Sequence, residues 1–312
     1  MATIRPGDGM SLSVIICTRD RVAELERCLT SLLECPTDAF AAVDVVVVDD
    51  GDDARAVEDL RARLSLEFMR VANQAPGLYN ARLTGLALAR GEVVLFLDDD
   101  VTLAPEYLTE LAAAYARHPQ ASGIGGVDQT DTRRSLGMRA LHRLFLYDSG
   151  RPGELSASGF PGATRRWIEQ PEDFASEYLH GCNMSFRKSA LAGLRPVSWL
   201  VGYSLGEDLH VASLARTTGP LFVSPRLRVW HRQSRASRDH ADDTGRAQTV
   251  NMFKLLRARD RSVRAVLAFV WTMSWFVVKD AVRGGRARLV PGYLRGVMDL
   301  VNGGEPPVIA RS

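Results

Sequence analysis

The chain has 312 residues, 46% of them hydrophobic and 24% charged, with four cysteines and a formal net charge of +2. That is ordinary usage for a soluble globular protein, with length for one large α/β domain or two small ones. It excludes pervasive disorder, a collagen-like repeat and a disulfide scaffold, and no apolar run reaches the roughly 18 residues expected of a membrane-spanning helix.

Residues 1–10 read as a tail that lacks the basic start and apolar stretch of a secretory signal. From residue 11 the chain alternates short β-branched runs with amphipathic stretches. Strands are expected over 11–18 (SLSVIICT), 43–50 (VDVVVVDD), 67–71 and 93–100 (VVLFLDDD). Helices are expected over 21–33, with Val22, Leu25, Leu29, Leu32 and Leu33 on one face, over 54–64 and 77–89, and over 105–118, where Pro105 opens the first turn. Continuous apolar strands separated by helices predict an α/β fold with a mostly parallel central sheet covered on both faces. Right-handed crossovers place the strands' C-terminal ends on one edge, where ligands of such sheets bind.

The stretch 128–174 is rich in Gly, Pro and Ser and reads as loops around one helix, 134–147; order returns over 178–231, with a helix over 207–217 and a strand over 227–231. The organisation that follows is a first half over 11–127, a second half over 128–244 and a basic, amphipathic helical tail over 245–312. Cys17, Cys28, Cys35 and Cys182 form no CxxC pair, so buried reduced thiols and a reducing cytosol are expected rather than a zinc site. From Gly245 onward 12 Lys/Arg stand against 4 Asp/Glu, a surplus of eight that leaves the remainder at −6. The apolar run over 265–278 is flanked by arginines on both sides. At 14 residues it makes a helix of about 21 Å, short of the roughly 30 Å of a bilayer core. It is expected either to lie on an anionic membrane surface through residues 254–295, at the inner face of the cell membrane, or to cover the rest of the protein or a second subunit.

Two strands end in carboxylates: Asp49 and Asp50, then Asp98, Asp99 and Asp100. Alternation along a strand turns Asp98 and Asp100 the same way, a pair suited to Mg²⁺ or Mn²⁺; the alternative is a solvated, helix-capping acidic loop. No P-loop occurs, and no GxGxxG follows the first strand, so pyrophosphate would be neutralised by metal rather than by a glycine cradle.

SVIICTRDR, VVVVDDGD, NQAPGLYNARLTGL, VVLFLDDDVTLAP, GCNMSFRK and GEDLHVASLARTTG together resemble family 2 glycosyltransferases with a GT-A-type fold, in order and spacing, over about residues 11–231. The resemblance implies a nucleotide-diphospho-sugar transferase-like fold with a C-terminal helical extension, in which the half over 11–127 binds the nucleotide sugar and the half over 128–244 carries the acceptor side and the base. It implies an inverting transfer of one sugar, of hexosyl or deoxyhexosyl type, from a UDP- or dTDP-linked donor to a glycan, lipid-linked or small-molecule acceptor. On these positions it puts Thr18, Arg19, Asp49 or Asp50, and Arg82 at the nucleotide, and Asp98 and Asp99 by the ribose and donor sugar. Asp100 and His231 fall to the metal, and Asp208 beside Glu207 to the base. Asn183, Trp199 and Tyr203 are acceptor-side candidates, and Trp167 is a further aromatic of that region. The aromatic-rich QxxRW segment of processive synthases is replaced by HRQSR, which argues for single-sugar transfer. The competing readings are a nucleotidyltransferase and an inactive carbohydrate-binding or membrane scaffold protein. The tail, interrupted by apolar tryptophan-containing sequence, argues against a nucleic-acid partner.

Overall fold

The structure is a computed structural model, described for residues 9–64, 66–131, 135–162, 164–200, 204–232, 241–282 and 286–303. The first half runs β1 (Ser11–Thr18), α1 (Val22–Leu33), β2 (Ala42–Asp49), α2 (Ala54–Arg63), β3 (Met69–Ala72), α3 (Leu78–Leu88), β4 (Val93–Asp98), β5 (Val101–Leu103), α4 (Tyr107–Arg117) and β6 (Gly123–Asp128). The second half adds α5 (Leu136–Leu144), β7 (Phe174–Ser176), β8 (Asn183–Arg187), α6 (Glu207–Ala215) and β9 (Leu221–His231). Three helices close the described chain: α7 (Ala241–Arg259), α8 (Val263–Val282) and α9 (Val290–Asn302).

Among the described residues, nine strands join one sheet in the order β3-β2-β1-β4-β8-β6-β9-β5, with β7 also on β9. Strands β3, β2, β1 and β4 are parallel. Strand β8 runs against both β4 and β6, and β6 and β9 are again parallel, so the α/β sheet is mixed. Alternate side chains of the parallel strands enter two different apolar layers. Leu12, Val14 and Ile16 of β1 face Leu25, Leu29, Leu60 and Leu111 of α1, α2 and α4. Ile15 and Cys17 face the layer that holds Tyr79, Leu209, Met252 and Phe269 of α3, α6, α7 and α8. All four cysteines are buried and free.

The expected strand over 93–100 is cut short. β4 ends at Asp98, the chain turns through Asp99 and Asp100, and β5 leaves to pair with β9. Three carboxylates in one strand would enter both apolar layers, whereas the turn gives each its own polar surroundings. Strand β6, GIGGVD, is among the elements that periodicity misses, because three glycines lower its strand propensity. They serve close approach: a Cβ on Gly126 would lie 2.1 Å from the Leu227 carbonyl oxygen and 2.3 Å from Asn183 Nδ2.

The tail is helical and packs on the body. Met252 and Leu256 of α7, Phe269, Met273, Trp275 and Phe276 of α8 and Tyr293 of α9 all belong to the core layer of α3 and α6. Helix α8 outruns the 14-residue apolar sequence at both ends, and at 20 residues it is long and apolar enough to cross a membrane by length and composition. One of its faces is nevertheless buried in the protein, where the Asp280 carboxylate accepts from Tyr293 OH at 2.9 Å.

Candidate active site

The carboxyl ends of β1, β2 and β4 meet on one edge of the sheet, as parallel pairing of Thr18 with Asp49 and of Cys17 with Asp98 requires. Across the sheet, antiparallel pairing of Val101 with His231 carries the end of β9 to the same edge. His231 Nε2 then lies 3.0 Å from Asp100 Oδ1 and 3.9 Å from Asp98 Oδ2. Asp98, Asp100 and His231 each offer one donor atom, all within 4.8 Å of one another, two carboxylate oxygens and one imidazole nitrogen. That donor set fits a small divalent cation and leaves positions for further oxygen ligands.

The trio is held from behind. Asp128, at the end of β6, accepts the His231 backbone N–H at 3.1 Å, and its Oδ2 lies 3.9 Å from His231 Nδ1. Burial lowers the imidazole's proton affinity, but the hydrogen bond to Asp100 and the charges of Asp98, Asp100 and Asp128 together raise His231 above its ordinary value. Arg21 donates through Nη1 to Asp100 Oδ2 at 3.3 Å and through Nε to Asp99 Oδ2 at 3.1 Å. Asp99 is wholly buried and also accepts from Thr18 Oγ1 at 2.7 Å. Burial pushes its carboxyl up to about 7, against the opposing pull of Arg21 and Thr18. Asp99 therefore braces the turn and leaves the open side to its neighbours Asp98 and Asp100.

Helix α6 enters from the opposite side. Its N-cap, Gly206, has φ +88°, a conformation that costs an L side chain dearly, and a Cβ there would meet Leu255 Cδ1 of α7 at 2.8 Å. The next residues are Glu207, buried, and Asp208, half-buried, whose Oδ1 accepts the Leu209 N–H at 2.9 Å. Arg82 of α3 ties this helix to the edge that carries Asp98. Its guanidinium pairs with Glu207 Oε1 and donates to Asp98 Oδ1 at 3.0 Å and to the Gly181 carbonyl at 2.7 Å. Gly181 permits the approach, since a Cβ there would crowd Glu207 Oε1 at 3.2 Å and Asp208 Cβ at 3.3 Å. Burial pushes the Glu207 carboxyl up to about 7, outweighing Arg82, and Asp208 and Asp98 push the same way.

The remaining expected residues divide. Asp49 is 4% exposed, and both its oxygens are engaged, by Arg70 at 2.9 Å and by the Gly51 N–H at 3.0 Å. Asp50 is half-buried and accepts from Asn73 Nδ2 at 3.0 Å and from the Gly77 N–H at 3.4 Å. Arg19 is exposed at the end of β1. Arg82 is buried between carboxylates rather than set in an open pocket wall. Asn183 lies in the interior, 1% exposed, where its Oδ1 accepts from Tyr107 OH, and Trp167 is a core residue against Tyr178 and Phe174. Trp199 is half-buried and edge-on to His210, with ring centroids 5.5 Å apart, while Tyr203 lies outside the described residues. Arg21, Arg70, Asn73 and Asp128 are site residues that sequence reasoning passes over. Asp128 carries a signal in hindsight, as another aspartate closing a strand.

The family model described as glycosyl transferase family 2 matches residues 13–193. Over 121 residues the chain is 26% identical to a glucosyl-dolichyl phosphate glucuronosyltransferase of Haloferax volcanii, a match covering 38% of each chain. Over 121 residues it is 35% identical to a validoxylamine A glucosyltransferase of Streptomyces hygroscopicus subsp. jinggangensis, covering 37% of this chain and 28% of that one. The chain thus spans roughly a third of the length of the curated relatives it matches. A mannosyltransferase from Pyrobaculum calidifontis, solved with GDP-Man and Mn²⁺, has the same fold, with a TM-score of 0.54 at 18% identity over 98% of this chain and 78% of that one. With a strand-edge carboxylate site and a family match over more than half its length, the chain belongs to glycosyl transferase family 2.

Proposed function

We propose that the protein is an inverting, metal-dependent glycosyltransferase that moves one sugar from a nucleoside-diphosphate sugar to an acceptor hydroxyl, in cell-envelope glycan or glycosylated natural-product synthesis. The observation that carries the reading is the convergence of Asp98, Asp100 and His231 at the sheet edge, linked through Arg82 to the helix that presents Asp208. The donor set fits Mn²⁺ or Mg²⁺, and a cation bound there supplies Lewis-acid stabilisation of the charge that gathers on the leaving diphosphate. Arg21, anchored on Asp99 and Asp100, adds a guanidinium to the same rim. The nucleoside falls to the half-buried Asp50 more than to the buried Asp49, with Thr18 and Arg19 at the adjoining strand end.

Asp208 is the base in this reading. It is half-buried at a helix N-terminus, while Glu207 beside it is buried and paired, a positioning residue. A single base acting on the acceptor hydroxyl supports one direct displacement at the anomeric carbon, hence inversion. UDP- and dTDP-linked donors remain in this reading, and the GDP-Man of the Pyrobaculum enzyme adds a third nucleotide. One relative is named for glucosyl-dolichyl phosphate and the other for validoxylamine A, which supports lipid-linked and small-molecule acceptors alike. The same proposal places the enzyme in the cytoplasm, peripheral on a membrane.

Titration calorimetry with MnCl₂, and then with nucleotide sugars in its presence, tests the assignment. Wild-type protein is expected to take up Mn²⁺ and to bind a nucleotide sugar only with it. Asp100→Asn is expected to lose the Mn²⁺ heat while keeping its circular dichroism. Mn²⁺ uptake undiminished in that variant, or no uptake by either protein, defeats the metal site.

A further inference from the structure

Helix α8 has two apolar faces, and among the described residues only one of them is covered. Ala265, Ala268, Phe269, Thr272, Met273, Trp275, Phe276 and Asp280 are buried. The opposite face is open: Val263 is 74% exposed, Leu267 64%, Val270 57%, Trp271 46%, Val278 63% and Val282 78%. At 100° per residue these side chains fall within one third of the helix circumference, with Ser274 the uncharged exception in the middle. Leu144 of α5, 63% exposed, extends the strip, since its carbonyl accepts the Trp271 indole N–H at 2.9 Å. A surface helix normally turns charge outward; this one turns valine, leucine and tryptophan.

The charges lie at the two ends of the strip. Arg261 and Arg264 are exposed at the start of α8, and Arg286 and Arg288 are exposed after it. Across residues 257–295 nine Lys/Arg stand against two Asp, and one of those, Asp280, is buried. A two-fold contact between copies through this strip would set one strongly positive surface against another. An anionic bilayer meets both features at once, with acyl chains against the strip and headgroup phosphates against the arginines.

We propose that the outer face of α8, with Leu144, is a docking surface for an anionic lipid bilayer. The helix lies in the plane of the interface and does not cross it. A crossing would strip α8 from the core and take Asp280 and its Tyr293 partner into hydrocarbon. The proposal rests on no part of the catalytic assignment, because binding is read without donor or acceptor.

The test is flotation of the full chain with phosphatidylcholine vesicles and with mixed phosphatidylcholine/phosphatidylglycerol vesicles. The wild type is expected to float with the mixed vesicles, less with the neutral ones, and less as salt rises. Leu267→Asp combined with Val278→Asp is expected to lower binding by about tenfold or more, with an unchanged melting temperature, because both side chains project from the fold. Arg261→Glu with Arg264→Glu is expected to weaken binding to the mixed vesicles alone. Emission of Trp271, isolated by comparison with Trp271→Phe, is expected to be quenched by brominated lipid. Three outcomes overturn the proposal. A wild type that never floats does so. So does a dimer, seen by light scattering, that the Asp variant splits, for then a second copy covers the strip. So does protein that resists extraction from vesicles by alkaline carbonate, for then the helix spans.

Discussion

Asp208 and Glu207 are adjacent carboxylates with opposite surroundings, and each makes a separate prediction. Asp208→Asn keeps the shape and the helix N-terminus but removes the proposed base. Transfer is expected to fall by about 10²–10⁴-fold, while calorimetric affinity for nucleotide sugar stays at the wild-type level. Glu207 is buried, with a carboxyl raised from 4.5 to about 7, and burial likewise raises Asp99 from 3.8 to about 7. Between those ordinary values and pH 7 the folded state therefore holds more protons than the unfolded chain. The contribution of these two groups to stability is complete at low pH and is lost as pH rises through that window. The loss is at most about 3 kcal/mol for Glu207 and about 4 kcal/mol for Asp99. In urea unfolding with EDTA present, Glu207→Gln is expected to flatten this fall between pH 5 and about 7. A slope unchanged by the substitution would assign the pH dependence elsewhere. At this scale the sequence exposes residue types but not their partners. DDD announces three carboxylates, yet that Asp99 turns inward to Thr18 and Arg21, while Asp98 and Asp100 meet His231, follows from a turn and from the pairing of Val101 with His231, far apart in sequence.

The elements that read clearly from sequence are those whose pattern is local. The parallel strands are buried on both faces and so appear as unbroken β-branched runs, and β1 falls where SLSVIICT predicts it. Strands β6 and β7 are hidden by what they must accommodate or by their shortness. β6 carries glycines because the Leu227 carbonyl and the Asn183 amide sit against its backbone, and β7 has only three residues. The loop before α6 is likewise set by a distant element. Asn251 of α7 donates through Nδ2 to the Leu205 carbonyl at 2.9 Å, and Leu255 of the same helix fills the space that only Gly206 leaves open. Helix α7 thus sets the height at which α6 offers Asp208. Asn251→Ala removes a buried donor, with an expected cost of about 1–3 kcal/mol in urea unfolding. Because the loop rather than the donor site is loosened, kcat is expected to fall by about tenfold with the donor KM unchanged. A fall in stability with full kcat would make Asn251 a purely structural residue.

On the scale of the whole molecule, the sequence suggests a body and a basic tail, while the packing joins them. Met252, Leu256, Phe269, Met273, Trp275, Phe276 and Tyr293 are buried in the same layer as Tyr79, Tyr178 and Leu209, so the tail supplies one wall of the core that backs the active site. Each large side chain of that kind is worth about 1.5–3 kcal/mol when fully buried, and a domain's net stability is only about 5–15 kcal/mol. Removing everything from Gly245 onward therefore takes away as much as the fold possesses. The truncated chain is expected to show no cooperative thermal transition and to bind a hydrophobic dye, even though the family match ends at residue 193. Loss of vesicle binding on truncation would then report unfolding rather than a missing anchor, which is why the surface pair Leu267→Asp and Val278→Asp, not a deletion, separates docking from folding. A truncated chain that melts cooperatively near the wild-type temperature would show that the tail only rests on the body, and the core layer drawn here would have to be divided.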